Sequence, residues 1–304
     1  MPQSILRLGT RGSRLALAQA SLVRDALALR DVVCELIPLR TTGDRIQDRP
    51  LAALGGKGLF TKELEEALLD GRIDLAVHSM KDVPVALPPG LCIAAILARE
   101  DPRDAFLSPE APSLAKLASG SRIGTSSVRR QAQVARARPD LAIMPLRGNV
   151  DTRLAKLDAG ELDAIILACA GLNRLGMERR ITSILSLDDW LPALSQGAIG
   201  VESRIEDAHL FSSLNDEATA AALACERGFQ QALDGSCLTS IGGIAEFRNG
   251  ELSFRGEVLA PDGSDSAETA FTSELGANPV AEAGELGPKA GIELRPRVLQ
   301  WLAA

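Results

Sequence analysis

Three stretches of the chain share one chemical design: an apolar strand-like run, a short polar or glycine turn, and the start of a helix-like run, with arginine at the junction. They are Gly9-Thr10-Arg11-Gly12-Ser13, Gly124-Thr125-Ser126-Ser127-Val128-Arg129-Arg130 and Arg147-Gly148-Asn149-Val150-Asp151-Thr152-Arg153. Unpaired N–H groups and the positive end of the helix dipole favour an anion at such turns. Ser13 and Ser127 are equally suited to be ordinary N-caps. Arg129 and Arg130 carry more information. Two cations in a helix's first turn oppose its dipole, so the pair makes poor sense as a solvated face and implies an anion beside it. Arg11, Arg147 and Arg153, taken singly, fit a ligand site or a surface equally well. Several anion sites in one chain suggest a ligand with several carboxylates.

Two further segments carry chemistry. Val77-His78-Ser79-Met80-Lys81-Asp82-Val83-Pro84 leaves the end of an expected parallel strand, where open α/β sheets place their sites. Asp82 reads either as half of a surface ion pair or as a carboxylate that stabilises a cation or moves a proton. Gly55-Gly56-Lys57-Gly58 invites comparison with a phosphate-binding loop, but Gly58 stands where Ser or Thr should follow the lysine and Leu51 where the first glycine belongs. A mobile loop whose Lys57 reaches a ligand fits better. Thr42 to Gly58 has little periodicity, and a connection of that length is expected to be a flexible lid.

Composition narrows the classes. A 304-residue chain with 46% hydrophobic and 24% charged residues is that of a folded globular protein. Its net charge of −7, 3% aromatics and lack of tyrosine count against a nucleic-acid partner. The charge is uneven: residues 201–304 hold 17 of the 40 acids but only 7 of the 33 bases, leaving the first 200 residues with net +3. Of the bases, 27 are arginine, whose planar fork matches carboxylates. The five cysteines, Cys34, Cys92, Cys169, Cys225 and Cys237, form no CxxC pair, and with two histidines no metal site is expected. Cys92 and Cys169 read as buried structural thiols, whereas the turn Asp234-Gly235-Ser236-Cys237-Leu238 should expose its sulfur. No apolar run approaches a membrane span, and residues 1–7 lack a secretory pattern, so a cytoplasmic protein without a membrane partner is expected.

The elements that must position these residues alternate. Strands Ile5–Gly9, Val32–Leu39 and Ile73–Val77 are separated by helices Ser13–Leu29 and Leu59–Leu69, a βαβ pattern. After about Leu97 the alternation restarts: Arg122–Gly124, helix Ser127–Ala137, Leu141–Leu146, helix Val150–Leu157, Asp163–Leu167. A helix Ala218–Leu233 and strands turning at Asn249-Gly250 and Pro261-Asp262-Gly263 then suggest a third, α+β domain.

Taken together, these segments resemble the porphobilinogen deaminase family. The resemblance is carried by Arg11-x-Ser13 with Leu15-Ala16-Leu17, Gly55-Gly56-Lys57-Gly58-Leu59-Phe60, His78 to Pro84, Glu100-Asp101-Pro102-Arg103-Asp104, Gly124 to Arg130, Leu146-Arg147-Gly148-Asn149, Gln196-Gly197-Ala198, and Cys237 in its loop. It implies an α/β fold with two periplasmic-binding-protein-like lobes, residues 1–97 with 198–217 and residues 98–197, plus a C-terminal α+β domain, residues 218–304. It implies a monomeric transferase of tetrapyrrole biosynthesis that joins four porphobilinogen molecules head to tail, releasing ammonia, to give hydroxymethylbilane. The chain would grow on a dipyrromethane cofactor held by a thioether to Cys237. In this resemblance Asp82 is the catalytic carboxylate. Lys57, Ser79, Lys81, Asp82, Thr125, Ser127, Arg129, Arg130, Arg147 and Gly148 hold the cofactor, and Arg11, Ser13, Gln19, Phe60, Arg147, Arg153, Arg174 and Gln196 the substrate. Four positions depart from the family pattern: Ser236 replaces the second glycine of Gly-Gly-Cys, Ser240 a following proline, Ser195 a glycine before Gln196, and Arg14 a frequent proline. The competing reading is a two-lobed polycarboxylate-binding protein without catalysis, against which intact Asp82 and Cys237 argue.

Overall fold

The computed structural model describes residues 5–45, 58–233 and 239–302. In chain order come β1 (Leu6–Arg11), α1 (Arg14–Ala28), β2 (Cys34–Leu39), the single turn α2 (Thr42–Arg45), α3 (Lys62–Leu69), β3 (Leu75–Ser79) and β4 (Leu91–Ile96). Next are β5 (Asp104–Leu107), β6 (Arg122–Gly124), α4 (Val128–Ala137), β7 (Ala142–Met144), α5 (Val150–Asp158), β8 (Ala164–Ala168), α6 (Cys169–Arg174) and β9 (Ser183–Ile184). The chain ends with β10 (Ile199–Arg204), α7 (Glu217–Ala232), β11 (Ile241–Arg248), β12 (Glu251–Leu259), β13 (Ser266–Glu274) and α8 (Pro279–Leu302). These divide into two units, Met1–Glu100 with Ala198–Ala220 and Asp101–Gly197 with Ala221–Ala304.

In the first unit the sheet order is β2-β1-β3-β10-β4, with β1, β2 and β3 parallel and β10 antiparallel to both neighbours. Helix α1 buries Ala16, Gln19, Ala20, Val23 and Leu27, the stripe of an amphipathic helix, against Leu8, Leu75 and Val77. Helix α3 buries Leu64 and Leu68 with Ile73 and Ala76 in a separate apolar cluster.

The second unit repeats that winding. Its sheet order is β7-β6-β8-β5-β9, with β6, β7 and β8 parallel and β5 antiparallel to β8 and β9. In each unit the antiparallel strand is the first one formed after the chain arrives from the other unit. A three-stranded meander β11-β12-β13 completes this unit, packed with α7 and α8 around Phe229, Phe254 and Leu294. Asn249 and Gly250 form its two-residue hairpin turn at φ +54° and +84°, as the dipeptide predicts.

Helix α8 is absent from the sequence reading. Pro288 and Pro296 lie inside it, with Gly284, Gly287 and Gly291, residues that read as helix breakers. Gly287, Pro288 and Gly291 are its contact surface, while Pro296 is exposed. A Cβ on Gly287 would overlap the Cys225 carbonyl of α7, one on Gly291 would stand 2.9 Å from the Phe229 oxygen, and Pro288 lies against Gly228. Close approach of two helix backbones outweighs the propensity cost here.

Ser195 sits at φ +63°, in the left-handed region that costs a residue with a side chain about 1–2 kcal/mol. Its N–H is held by the buried Glu226 carboxylate, whose other oxygen accepts from the Ala245 N–H at 2.8 Å. Its own Oγ is buried without a partner. Ser195→Gly removes strain and orphan hydroxyl while making the unfolded chain more flexible. A net gain of about 1 kcal/mol is expected, read as a Tm about 2–4 °C higher; an unchanged Tm would contradict it.

Candidate active site

In the first unit the parallel strands β1 and β3 end side by side. Beyond β1, Ser13 caps α1 through the Ala16 N–H (3.2 Å to Oγ). The hydroxyl is thus an N-cap. Arg11 pairs with Asp44 (Nη2–Oδ1 2.5 Å) and lies 4.2 Å from the centroid of the Phe60 ring. Burial raises the Asp44 pKa, but Arg11 and Thr41 outweigh it and hold the carboxyl below its ordinary range. The carboxylate that Arg11 meets in this structure is therefore the chain's own. Gln19 is buried on α1 with no hydrogen-bond partner among the described residues.

Beyond β3 the chain turns through a 3-10 segment, Met80–Asp82. Asp82 is exposed, and neither its carboxylate nor the Ser79 hydroxyl has a partner among the described residues. Lys81 is half-buried beside it. The surface ion pair, one of the two readings left open for Asp82, does not form among the described residues.

In the second unit the arginine pair has its anion, and that anion is Asp104 at the start of β5. Arg129 Nη2 donates to Asp104 Oδ2 at 2.9 Å; Arg130 Nη2 donates to Oδ1 at 2.6 Å and Nε to Oδ2 at 3.1 Å. Trp190 Nε1 (2.9 Å) and Gln196 Nε2 (2.7 Å) complete the shell. Arg129 also donates to Gln133 and the Leu191 carbonyl, and Gln133 to Glu257 of β12, so the network ties α4 to the C-terminal sheet. Burial pushes the Asp104 pKa up, yet Arg129 and Arg130 outweigh it and hold the carboxyl far below the usual range.

Asp104→Asn leaves two buried guanidiniums without a charge partner, and the expected cost is about 3–5 kcal/mol, measured by urea unfolding. The depressed pKa makes this contribution complete above the unfolded value of about 4 and lost as the pH falls below it, so the gap to wild type should narrow in acid.

The other polar groups sort by partner. The Thr125 hydroxyl accepts from the Ser127 N–H at 3.2 Å, and Ser127 caps α4 through the Arg130 N–H at 3.4 Å. Asn149 caps α5. Arg153 Nε donates to the Gly148 carbonyl at 2.9 Å, and Arg174 Nη2 to the Gly197 carbonyl at 2.5 Å. Gly148 needs to be glycine, since its φ is +105° and a Cβ would press on Thr152. Arg147 differs from the other arginines at these turns. It is half-buried three residues beyond β7 and has no hydrogen-bond or ion-pair partner among the described residues.

Lys57, Cys237 and most of the expected lid, residues 46–57, lie outside the described residues. Among the described cysteines, burial pushes the Cys34 thiol up to about 11 and Cys169 to about 12, and it raises Cys92 and the fully buried Cys225 as well. Sequence reasoning missed Asp44 and Asp104 as partners. The signal for Asp104 was an acid opening the apolar run Asp104-Ala105-Phe106-Leu107.

Comparison with known proteins bears on the whole chain. The family model described as "Porphobilinogen deaminase, dipyromethane cofactor binding domain" matches residues 6–212, and "Porphobilinogen deaminase, C-terminal domain" matches residues 220–296. The chain is 55% identical over 297 residues to "Porphobilinogen deaminase" of Nitrobacter hamburgensis and 53% identical over 297 residues to that of Nitrobacter winogradskyi, covering 95% of this chain and 92% of each relative. A solved periplasmic substrate-binding protein from Coxiella burnetii is similar at 14% identity and TM-score 0.43, covering 69% of this chain and 91% of that one. With both family models matched in order and relatives more than half identical along nearly its full length, the chain belongs to the porphobilinogen deaminase family.

Proposed function

We propose that the chain joins four porphobilinogen molecules head to tail, releasing ammonia, to form hydroxymethylbilane, as a monomer in the cytoplasm. The observation that carries this reading is Asp82, a carboxylate without a hydrogen-bond or ion-pair partner among the described residues, on the turn that leaves β3. Loss of ammonia from porphobilinogen leaves an azafulvenium cation. A fixed carboxylate offsets that charge and takes or returns the proton at the pyrrole nitrogen. The competing reading, a binding protein, predicts that porphobilinogen is held but not consumed. Measuring ammonia released and bilane formed separates the two.

The residues present fit a dipyrromethane, a group with several carboxylates, because Arg147 offers an unused, half-buried guanidinium. When bound through Cys237, the group supplies the pyrrole carbon to which the first substrate unit is joined. Arg147, Gly148, Ser79, Lys81 and Lys57 would hold its side chains, with Thr125, Ser127, Arg129 and Arg130 shaping the turn at β6. Arg11, Ser13, Gln19, Phe60, Arg153, Arg174 and Gln196 remain the substrate set. In this set Arg11 must exchange Asp44 for a substrate carboxylate.

Arg147→Lys keeps the charge and loses the fork. Losing one charged hydrogen bond of about 1.5–3 kcal/mol should lower kcat/KM about 10- to 100-fold, while unfolding free energy stays within about 0.5 kcal/mol of wild type. A large loss of stability instead would show that Arg147, like Arg129, serves the fold.

A further inference from the structure

Asp82 makes no hydrogen bond or ion pair with the described residues, so the backbone of the turn that carries it sets where its carboxylate stands. What anchors that turn therefore places the charge. The turn opens at Met80, which is 1% exposed; its N–H donates to the Ala198 carbonyl at 3.0 Å and its carbonyl accepts from the Val83 N–H at 3.2 Å. The Met80 side chain lies over Gly200 of β10. Gly200 pairs with His78 in the antiparallel register, and it is not among the glycines with positive φ. No turn requires glycine at this position, and glycine weakens a strand, which leaves close approach as its reason. A Cβ there would overlap the Met80 sulfur and stand 3.1 Å from its Cγ and 3.7 Å from Ile93 Cγ2. At the strand end just before the turn, His78 Nε2 lies 2.8 Å from Oε2 of Glu202, also on β10, both side chains buried. Strand β10 thus grips this segment of β3 on both sides of the turn's start.

We propose that Met80, seated over Gly200, is a positioning residue for Asp82, the depth of the seat setting where the carboxylate stands. The inference rests on Asp82 being the catalytic carboxylate. Because a misplacement of about 1 Å can cost about 10²-fold in rate, Gly200→Ala should lower kcat about 10- to 100-fold with KM within about threefold of wild type. The added methyl falls where the sulfur stood, so Met80→Ala/Gly200→Ala should recover most of kcat. A purely structural role predicts instead that Gly200→Ala loses only thermal stability, with kcat of the folded enzyme unchanged.

The experiment is steady-state turnover of porphobilinogen by holoenzyme, with the covalent dipyrrole verified by intact mass and folding by thermal melt. Gly200→Ala with kcat within about threefold of wild type overturns the proposal, as does a folded Gly200→Ala whose loss persists in the double variant. Should Gly200→Ala not fold, Met80→Ala is compared with the double variant, and a double variant no faster than Met80→Ala overturns it equally. Asp82→Asn, measured alongside, keeps the two ideas apart. Full activity in Asp82→Asn removes the reading of Asp82; an inactive Asp82→Asn beside a fully active Gly200→Ala removes the seat alone.

Discussion

Cys237→Ala is expected to purify as the bare chain, without the mass of a dipyrrole, and to have no measurable turnover. The thiolate is the form of cysteine that makes a carbon–sulfur bond, so attachment needs a thiol that ionises near neutral pH. The described cysteines do not meet that condition. Cys34 and Cys169 are pushed up to about 11 and about 12, Cys92 is raised too, and Cys225 is fully buried on α7. The family resemblance gives Cys237 as the attached cysteine, and the family domain described by the dipyromethane cofactor matches residues 6–212, which carry the groups that would hold it. Cys92→Ala and Cys169→Ala should therefore keep the adduct. Intact mass spectrometry on protein from a host able to make tetrapyrroles decides the matter, and an adduct surviving in Cys237→Ala sinks the assignment.

Asp82→Asn should keep its cofactor, bind porphobilinogen and turn over about 10²–10³ times more slowly, the loss expected when a preorganised group facing a developing charge is removed. Asparagine preserves size and hydrogen bonding but not the charge that a cationic pyrrole needs. No side chain among the described residues is hydrogen-bonded or ion-paired to Asp82. Asp82→Glu retains the charge at the wrong reach and should keep part of the activity. Single-turnover rates on enzyme of verified mass are the measurement, and an Asp82→Asn rate within a few-fold of wild type rules the role out.

The caps at Ser13 and Ser127 were one of two readings left open, whereas strand–turn–helix alternation and the Asn249-Gly250 hairpin were legible in the sequence by itself, and so was the family. These features are local. A buried stripe on α1 or a turn at φ +54° and +84° is encoded by residues within a few positions of each other. The tertiary structure alone decided what the charges do. Arg129 and Arg130 imply an anion along the chain but not which one: they meet Asp104, brought to them because β5 inserts beside β8, while Arg147, three residues beyond β7, has no partner among the described residues. Arg11 likewise finds Asp44, 33 residues away. The seat of Met80 on Gly200 exists because a strand more than a hundred residues later returns antiparallel to β3. Helix α8 was hidden for the same reason, since Gly287, Pro288 and Gly291 make sense only against the backbone of α7. Periodicity is written in neighbouring residues, whereas a charge's partner and a glycine's occupant are set by sheet order, which only the folded chain supplies.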